Sequence, residues 1–311
     1  MAAGPRAGVP DDRRLTPPSP VPLDYLIFAP SSCRFPTPRT PPLATGVAGL
    51  SWRPAKTGSD FATGSFRYFT RARYALRQAY HLAGVGTGGA LLAPSYHCRT
   101  MIDPALALDG PVVLYPLTPD LEVDLAALDR LHHSLDIPAK ALLATHFFGL
   151  TKDFGELASW CHERNITLVE DCSHALFLET AQAPQLGRFG DFVVSSPYKF
   201  VPSPDGGLLW ARCGEAMTAT ATRSRPPLDE LRGLVYWWSM AQRHRNGVAM
   251  CHAREIPSPA TGPAGSDGLR SECLSSDYLP DEEGLSDLKL SRLIHSHANS
   301  EAIREPRQLN Y

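Results

Sequence analysis

Residues 168–207, LVEDCSHALFLETAQAPQLGRFGDFVVSSPYKFVPSPDGG, contain the pattern that decides the fold. A short apolar run ends in two acids, Glu170 and Asp171. A second run, FVV at 192–194, is followed by two serines and then by Lys199. Because the chain has only five lysines, one that lies between a predicted strand and a glycine-containing loop stands out.

An acid at one strand end and a lysine just past the next strand suit pyridoxal phosphate (PLP). This cofactor forms a Schiff base with a lysine amine, and it needs a carboxylate that keeps its pyridine nitrogen protonated. Asp171 and Lys199 are the candidates for these two roles. Taken alone, Lys199 also fits a solvated surface charge, and Asp171 also fits a helix cap.

Composition excludes several classes of function. The 311 residues include 30 basic and 32 acidic side chains, and a net charge of −2 gives no electrostatic reason to expect a nucleic-acid or anionic-membrane partner. No apolar run is long enough to span a bilayer, and residues 1–20 lack the apolar core of a secretory signal. Seven scattered cysteines without a CxxC spacing predict a cytoplasmic protein without disulfides. We expect no metal site.

Short apolar runs alternate with helical patterns between about residues 90 and 200. Runs of this kind without polar alternation are typical of a parallel sheet that is buried on both faces. We therefore predict an α/β fold with three layers, in which helices cover both faces of a mostly parallel sheet. The predicted strands are 90–93, 111–117, 140–145, 166–169, 192–194 and 208–211.

The predicted helices occupy the segments between and after these strands. The first ends near Ala83, with Thr70 as its expected N-cap, and Gly84 follows it. A second helix is expected from the turn at 95–98 to about Leu108. Further helices are expected over 124–135, 153–164 and 229–245, and residues 285–303 have a weak helical pattern. Residues 255–284 are expected to form a loop.

Several polar segments follow the ends of predicted strands. In parallel sheets, ligands bind outside the carboxyl ends of the strands. Residues 95–98, His146, Asp171 and Lys199 all fall at such ends. The pattern therefore predicts that they meet at one site.

Seven short motifs, in order, carry a resemblance to a known family. They are ARYAL (72–76), PSYHC (94–98), HFFG (146–149), VEDCSHAL (169–176), FGD (189–191), SSPYK (195–199) and DGG (205–207). As a set, the motifs resemble the DegT/StrS type of PLP-dependent sugar aminotransferases, which are fold-type-I PLP enzymes. The resemblance spans about 70–210 and implies the PLP-binding large domain of that fold.

The resemblance also implies roles for individual residues. Lys199 matches the Schiff-base lysine, and Asp171 matches the acid on the pyridine nitrogen. His174 matches a His or Gln position close to the ring and its 3-hydroxyl group. Ser196 matches the serine that contacts the phosphate, with Ser195 as its rival.

Two further groups complete the implied site. Backbone N–H groups and the helix dipole at Ala72 and Arg73 are expected to hold the phosphate. Cys98 occupies the usual position of the aromatic residue that stacks on the ring, so either Tyr96 or His97 is expected to take that role. Cys98 itself is expected to be a small buried hydrophobe rather than a nucleophile.

The implied reaction is the transfer of an amino group from an amino acid, glutamate in many family members, to a keto group of a nucleotide-linked sugar. A homodimer is implied as well. The alternative is an inactive relic of the fold that binds a partner or nothing. Sugar dehydration is disfavoured, because that branch has histidine in place of Lys199.

Domain boundaries follow from composition and from the resemblance. Residues 1–55 hold 12 of the 29 prolines and lack periodicity, so we expect a disordered leader. Residues 56–225 are predicted to form the PLP-binding large domain. Residues 226–311 are predicted to form a helical and loop extension that begins a small C-terminal domain. We expect that domain to be largely missing, since the family normally continues past the segment at 304–311.

Overall fold

A computed structural model describes residues 65–176, 186–213, 222–245, 274–299 and 302–304. The predicted leader at 1–55 lies outside these residues. A seven-stranded sheet with the order β1-β7-β6-β5-β4-β2-β3 forms the centre of the fold. The strands are β1 Ser65–Phe69, β2 Ala90–Pro94, β3 Val112–Tyr115, β4 Ala139–Thr145, β5 Thr167–Asp171, β6 Phe192–Ser195 and β7 Gly207–Ala211.

Strand β7 runs antiparallel to both of its neighbours, β1 and β6, and the other pairs are parallel. The prediction of a mostly parallel sheet is confirmed. The helices are α1 Ala72–Ala83, α2 Arg99–Leu106, α3 Leu125–His133, α4 Gly155–Glu163, α5 Pro227–Arg245 and α6 Lys289–Ser296.

Alternate residues of the central strands pack against helices on opposite faces of the sheet. Leu91 and Leu143 belong to an apolar cluster that includes residues of α1 and α2. Their neighbours Leu92 and Leu142 belong to a second cluster, which includes residues of α3 and α4. Successive side chains of a strand point to opposite faces, so this division confirms the predicted three-layer arrangement.

Strand β1 was not predicted from the sequence. Its residues, SFRYF, run into helix α1 after only two residues. The turn residues that usually mark a strand boundary are absent at this point. The strand pairs antiparallel with β7, from Ser65 opposite Ala211 to Phe69 opposite Gly207.

The expectation that Thr70 caps helix α1 is wrong by one residue. Arg71 is the N-cap, with φ −144° and ψ 157°, and no side chain caps the helix. The Thr70 hydroxyl donates instead to Glu282 Oε2 at 3.2 Å. The predicted end of this helix is confirmed, because Gly84 adopts φ +89° as its C-cap.

The C-terminal part of the chain was predicted less closely. The helix expected over 229–245 is confirmed as α5, while only eight residues of 285–303 form α6. Residues 255–273 of the predicted loop lie outside the described residues. None of the helices in the described part of the chain combines the length and apolarity that a bilayer crossing requires.

Candidate cofactor site

A cavity of about 180 Å³ opens at the edge of the sheet where parallel strands end. The last residues of β4 and β5, Thr145 and Asp171, are part of its wall. Eight of the nine predicted site residues line this cavity, and Ser195 is the exception. The eight are Lys199, Asp171, His174, Ser196, Ala72, Arg73, Tyr96 and His97.

Asp171 provides a buried carboxylate in the cavity wall. Its side chain is 4% exposed, and its Oδ1 accepts a hydrogen bond from the Ser173 N–H at 2.9 Å. On the neighbouring strand Thr145 is paired with Asp171. The Thr145 Oγ1 atom is buried and has no hydrogen-bond partner among the described residues. This edge therefore combines an acid with an unsatisfied hydroxyl group, both of which line the cavity.

Lys199 reaches the cavity from a tight turn that directly follows β6. Residues Pro197–Lys199 form one turn of 3-10 helix, and the Lys199 N–H donates to the Ser196 carbonyl oxygen at 3.0 Å. The next side chain, Phe200, is fully buried. Of the lysines that the structure describes, Lys199 is the one that lines the cavity.

The two candidate serines differ in their surroundings. Ser196 lines the cavity, whereas Ser195 does not. Ser195 is the last residue of β6, and its Oγ is buried without a hydrogen-bond partner in the described part of the chain. Of the two, the geometry favours Ser196 as a contact for a group in the cavity.

The N-terminus of helix α1 forms another part of the wall. The first N–H groups of a helix have no partner within the helix, and the helix dipole favours an anion there. A Cβ atom on Gly207 would lie 2.3 Å from the Arg71 carbonyl carbon, so the absence of a side chain lets β7 approach this terminus. The Arg73 guanidinium donates to the Asp277 carbonyl oxygen, so at Arg73 the backbone N–H, rather than the guanidinium, is the candidate contact for an anion.

Aromatic side chains surround the mouth of the cavity. Tyr96 is 53% exposed, and its ring centroid lies 5.5 Å from that of Phe147. His97 Nδ1 donates to the Pro94 carbonyl oxygen at 2.9 Å. Both candidates for ring stacking therefore line the cavity, and the choice between them stays a prediction. The expectation that Cys98 is buried is wrong, because this residue, the N-cap of α2, lines the cavity and is exposed.

Phe148, for which no role was predicted, also lines the cavity. Its φ of +54° is unusual for a bulky residue and marks backbone strain. The ring lies nearly parallel to the His174 ring, with centroids 6.4 Å apart and an interplanar angle of 19°. The sequence feature that could have indicated this unusual backbone is the glycine that follows Phe148, since Gly149 adopts φ +87°.

Behind the cavity, a buried hydrogen-bond network holds the adjacent acid, Glu170. His146 Nε2 donates to Glu170 Oε1 at 3.0 Å, and the N–H groups of Gly187, Phe189 and Gly190 donate to the same carboxylate at 2.7 to 3.1 Å. Burial raises the pKa of the Glu170 carboxyl, but these hydrogen bonds outweigh burial and lower the pKa below its ordinary value. The carboxylate thus fixes the loop at 187–190 to β5.

Cys172 lies close enough to His146 and Glu170 for the three to resemble a set of metal ligands. However, the His146 Nδ1 accepts from the Lys152 N–H at 3.0 Å, so the ring proton lies on Nε2 and is shared with Glu170. Burial, followed by the charges of Glu170 and Asp171, raises the pKa of the Cys172 thiol well above its ordinary value. A cation would have to displace these donors, so we assign the cluster a structural role.

The residues around the cavity fit the cofactor that the resemblance implies. PLP requires an amine, an anion beside its pyridine nitrogen and a binding site for its phosphate. Lys199, Asp171 and the N-terminus of α1 supply these three features in one cavity. The unpartnered Thr145 hydroxyl offers a further polar contact.

A family model described as the DegT/DnrJ/EryC1/StrS aminotransferase family matches residues 69–224, half of the chain. Over 133 residues, the chain is 27% identical to a Micromonospora echinospora protein described as an L-glutamine:3-amino-2,3-dideoxy-scyllo-inosose aminotransferase. That match covers 40% of this chain and 32% of the relative.

Similar solved structures include an aminotransferase from Streptoalloteichus hindustanus, with 26% identity and a TM-score of 0.42. A DegT DnrJ EryC1 StrS aminotransferase from Brucella abortus has 18% identity and a TM-score of 0.45. Each match covers 49% of this chain, and 42% and 43% of the respective structures. The chain therefore spans about a third of the length of the curated relative and less than half of these two structures.

Proposed function

The chain belongs to the DegT/DnrJ/EryC1/StrS aminotransferase family, and we propose that it is a PLP-dependent aminotransferase that acts through Lys199. The family uses PLP. One observation carries the proposal: Lys199 and the buried Asp171 line the same cavity, beside the N-terminus of α1. Cofactor binding requires this combination. If Lys199 were only a surface charge and Asp171 only a helix cap, nothing would place the two residues in one cavity.

Each group has a defined task in this proposal. Bound PLP supplies an aldehyde that condenses with amines and a pyridinium ring that accepts an electron pair from the substrate. The Asp171 carboxylate would accept a hydrogen bond from the pyridine N–H and keep that nitrogen charged. The N–H groups of Ala72 and Arg73, with the Ser196 hydroxyl, bind the phosphate. Tyr96 or His97 contacts the ring face, and His174 lies close to the ring.

Lys199 acts in binding and in proton transfer. Its amine would hold the cofactor between reactions and would be released when an amino acid binds. The released Nζ would then serve as the base that accepts the proton of the amino acid's α-carbon and as the acid that donates it to the cofactor carbon. Across the whole reaction an amino acid and a keto compound give a 2-oxo acid and a new amine, so atoms and charges balance.

We propose glutamate as the donor and a keto group on a nucleotide-linked sugar as the acceptor, by resemblance to the family. The name of the Micromonospora relative points to glutamine and a cyclitol for that protein, so both donors belong in the assay. We also propose a cytoplasmic homodimer, which sedimentation of the full chain would detect as twice the 33.9 kDa chain mass.

The half-reaction tests the proposed function without knowledge of the acceptor. The full-length protein is loaded with PLP and mixed with L-glutamate or L-glutamine, and the released 2-oxo acid is measured against protein concentration. We expect up to one equivalent of 2-oxo acid per site in the wild type and none in Lys199→Ala. Lys152→Ala is the matched control, because Lys152 pairs with Glu122 away from the cavity.

The outcomes separate the proposed enzyme from its alternative. PLP binding at Lys199 without release of 2-oxo acid from either donor would favour a PLP-fold protein that has lost turnover. Release of 2-oxo acid that persists in Lys199→Ala would contradict the role of the lysine.

A further inference from the structure

Helix α6, almost one hundred residues later in the chain, packs against the segment that follows Lys199. Phe200 and Val201 are 0% and 1% exposed and share an apolar cluster with Ile294 of α6. Leu176, two residues after His174, belongs to the same cluster. The packing of α6 therefore supports both segments that carry cavity residues beyond β5 and β6.

A short chain of hydrogen bonds connects the same helix to this loop. The Ser203 hydroxyl donates to the Asp205 carbonyl oxygen at 2.9 Å, and its oxygen lies 2.9 Å from His295 Nε2. Because the hydroxyl has one hydrogen and the carbonyl can only accept, His295 must donate through Nε2–H. Burial lowers the pKa of the His295 ring, which keeps it neutral, and its Nδ1 has no hydrogen-bond partner in the described part of the chain.

The loop also binds the beginning of α6. Asp205 Oδ1 accepts from the Leu288 N–H at 3.2 Å and from the Ser291 hydroxyl at 2.5 Å. Leu288 is the N-cap of the helix and supplies no capping side chain of its own. The Asp205 carboxylate therefore binds the N-terminal turn of α6 across the fold, where a negative charge also interacts favourably with the helix dipole.

Gly206 allows the imidazole ring to approach this closely. Its φ is +142°, and a Cβ atom at this position would lie 2.5 Å from His295 Cε1. The loop therefore has space for the ring only because it has no side chain at this point. The fit between Gly206 and His295 is steric and independent of the hydrogen bond to Ser203.

We propose that His295 is a positioning residue for Lys199, acting through Ser203 and through the packing of α6 on Phe200. Ser203, Asp205 and Gly206 form the return from Lys199 to β7, and contacts of α6 fix this return at three points. If the contacts are lost, the loop relaxes and the Lys199 amine spends less time inside the cavity. The inference rests on the proposed function for the identity of the group that Lys199 binds.

The test compares His295→Leu and Ser203→Ala with the conservative variant His295→Gln, which keeps a side-chain N–H donor. Leu128→Ala serves as the matched control, because Leu128 is fully buried in the cluster that includes α3 and α4, apart from the cavity. For each full-length variant we would measure the melting temperature, amide hydrogen exchange over residues 197–207 and the Kd for PLP from its absorbance change.

We expect His295→Leu to raise the Kd for PLP about tenfold or more, since small displacements of a reacting group carry large costs, and to speed exchange over 197–207. Ser203→Ala should shift both quantities in the same direction by a smaller factor, and His295→Gln should stay within about threefold of the wild type. Leu128→Ala should lower the melting temperature at least as far as His295→Leu does, while leaving the Kd for PLP and the exchange over 197–207 unchanged.

Two negative results have different meanings. Wild-type protein that forms no adduct at Lys199 would remove the proposed function, although faster exchange over 197–207 in His295→Leu would still support the structural coupling. A wild type that binds PLP, together with a His295→Leu variant that matches Leu128→Ala in Kd and local exchange, would overturn the positioning role and leave the proposed function intact.

Discussion

Two adjacent acids on β5 point to opposite sides of the sheet and face different surroundings. Asp171 lines the cavity, whereas Glu170 is enclosed by backbone N–H groups and His146. The two-residue period of a strand makes this division unavoidable. One acid is thus available for a ligand, while the other stabilises the loop at 187–190.

The first prediction concerns Asp171. Replacing it with asparagine should weaken PLP binding about tenfold to a hundredfold, since a hydrogen bond to a charged group contributes ~1.5–3 kcal/mol. Absorbance titration with PLP measures the change. Asp120→Asn, at an exposed acid, is the control; equal affinities of the wild type and Asp171→Asn would rule out the assigned role.

The second prediction concerns Glu170. Glutamine at this position turns an amide N–H₂ toward backbone donors, so the free energy of unfolding should fall by about 3 kcal/mol at pH 7. Because the pKa of Glu170 is lowered in the folded state, the advantage of the wild type is complete above about pH 4.5 and shrinks as the pH falls below it. Urea unfolding from pH 3 to 7 measures this difference. A constant difference across that range would contradict the assigned hydrogen bonds.

Among the elements, strand β7 and the N-terminus of α1 approach each other closely at Gly207. A methyl group there would lie 2.3 Å from the Arg71 carbonyl carbon and 2.5 Å from the Ala72 nitrogen. These are backbone atoms, which cannot move away as the end of a flexible side chain can. The anion site at α1 thus depends on a residue far away in the sequence.

The third prediction follows from this contact. Gly207→Ala should lower the free energy of unfolding by about 1–3 kcal/mol through overpacking, and it should weaken the binding of PLP and of inorganic phosphate. Gly88→Ala is the control, since a Cβ atom there meets nothing within 4 Å. Thermal unfolding and phosphate competition give the two readouts; a Gly207→Ala variant as stable as Gly88→Ala would refute the close approach.

The fourth prediction concerns the pH dependence of the packing of α6. Burial lowers the pKa of His295 to about 3, so between pH 6.5 and 3 the unfolded chain binds a proton that the folded chain does not. The free energy of unfolding that the wild type gains over His295→Gln should therefore have its full value above about pH 6.5. It should decline by ~1.4 kcal/mol per pH unit below that value.

Asp287, next to α6, should behave in the opposite way. Burial, despite the hydrogen bond and charge of Arg292, raises the pKa of this carboxyl to about 7. Relative to Asp287→Asn, the wild type therefore loses stability as the pH rises from about 4 to 7. Because the two effects oppose each other between about pH 4 and 6.5, each must be measured against its own variant by denaturant unfolding. For His295, a plot of unfolding free energy against pH that runs parallel in the wild type and in His295→Gln would contradict the burial of the neutral ring.

For the whole molecule, the local patterns were sufficient to predict the layers of the fold. Runs such as LLA at 91–93 and VVS at 193–195 lack polar alternation, which is typical of strands buried on both faces. Because ligand sites lie at the carboxyl ends of such strands, the approximate positions of Asp171 and Lys199 followed from the same reasoning.

The remaining features depend on contacts between distant parts of the chain. Strand β1 acquires its identity from pairing with β7, about 140 residues away in the sequence. The donors that surround Glu170 are backbone groups, which no side-chain pattern reveals. The contact between His295 and Ser203 joins two segments whose local sequences predict only a weak helix and a loop.

Reductive trapping of the cofactor tests the central claim most directly. The full-length protein is mixed with PLP, reduced with borohydride and digested, and the modified peptides are identified by mass spectrometry. We predict a pyridoxyl group on Lys199, at stoichiometric yield, that is absent from Lys199→Ala and retained in Lys152→Ala. A folded protein that gives no adduct, or one that labels its lysines evenly, would contradict the assignment of the cavity as a PLP site.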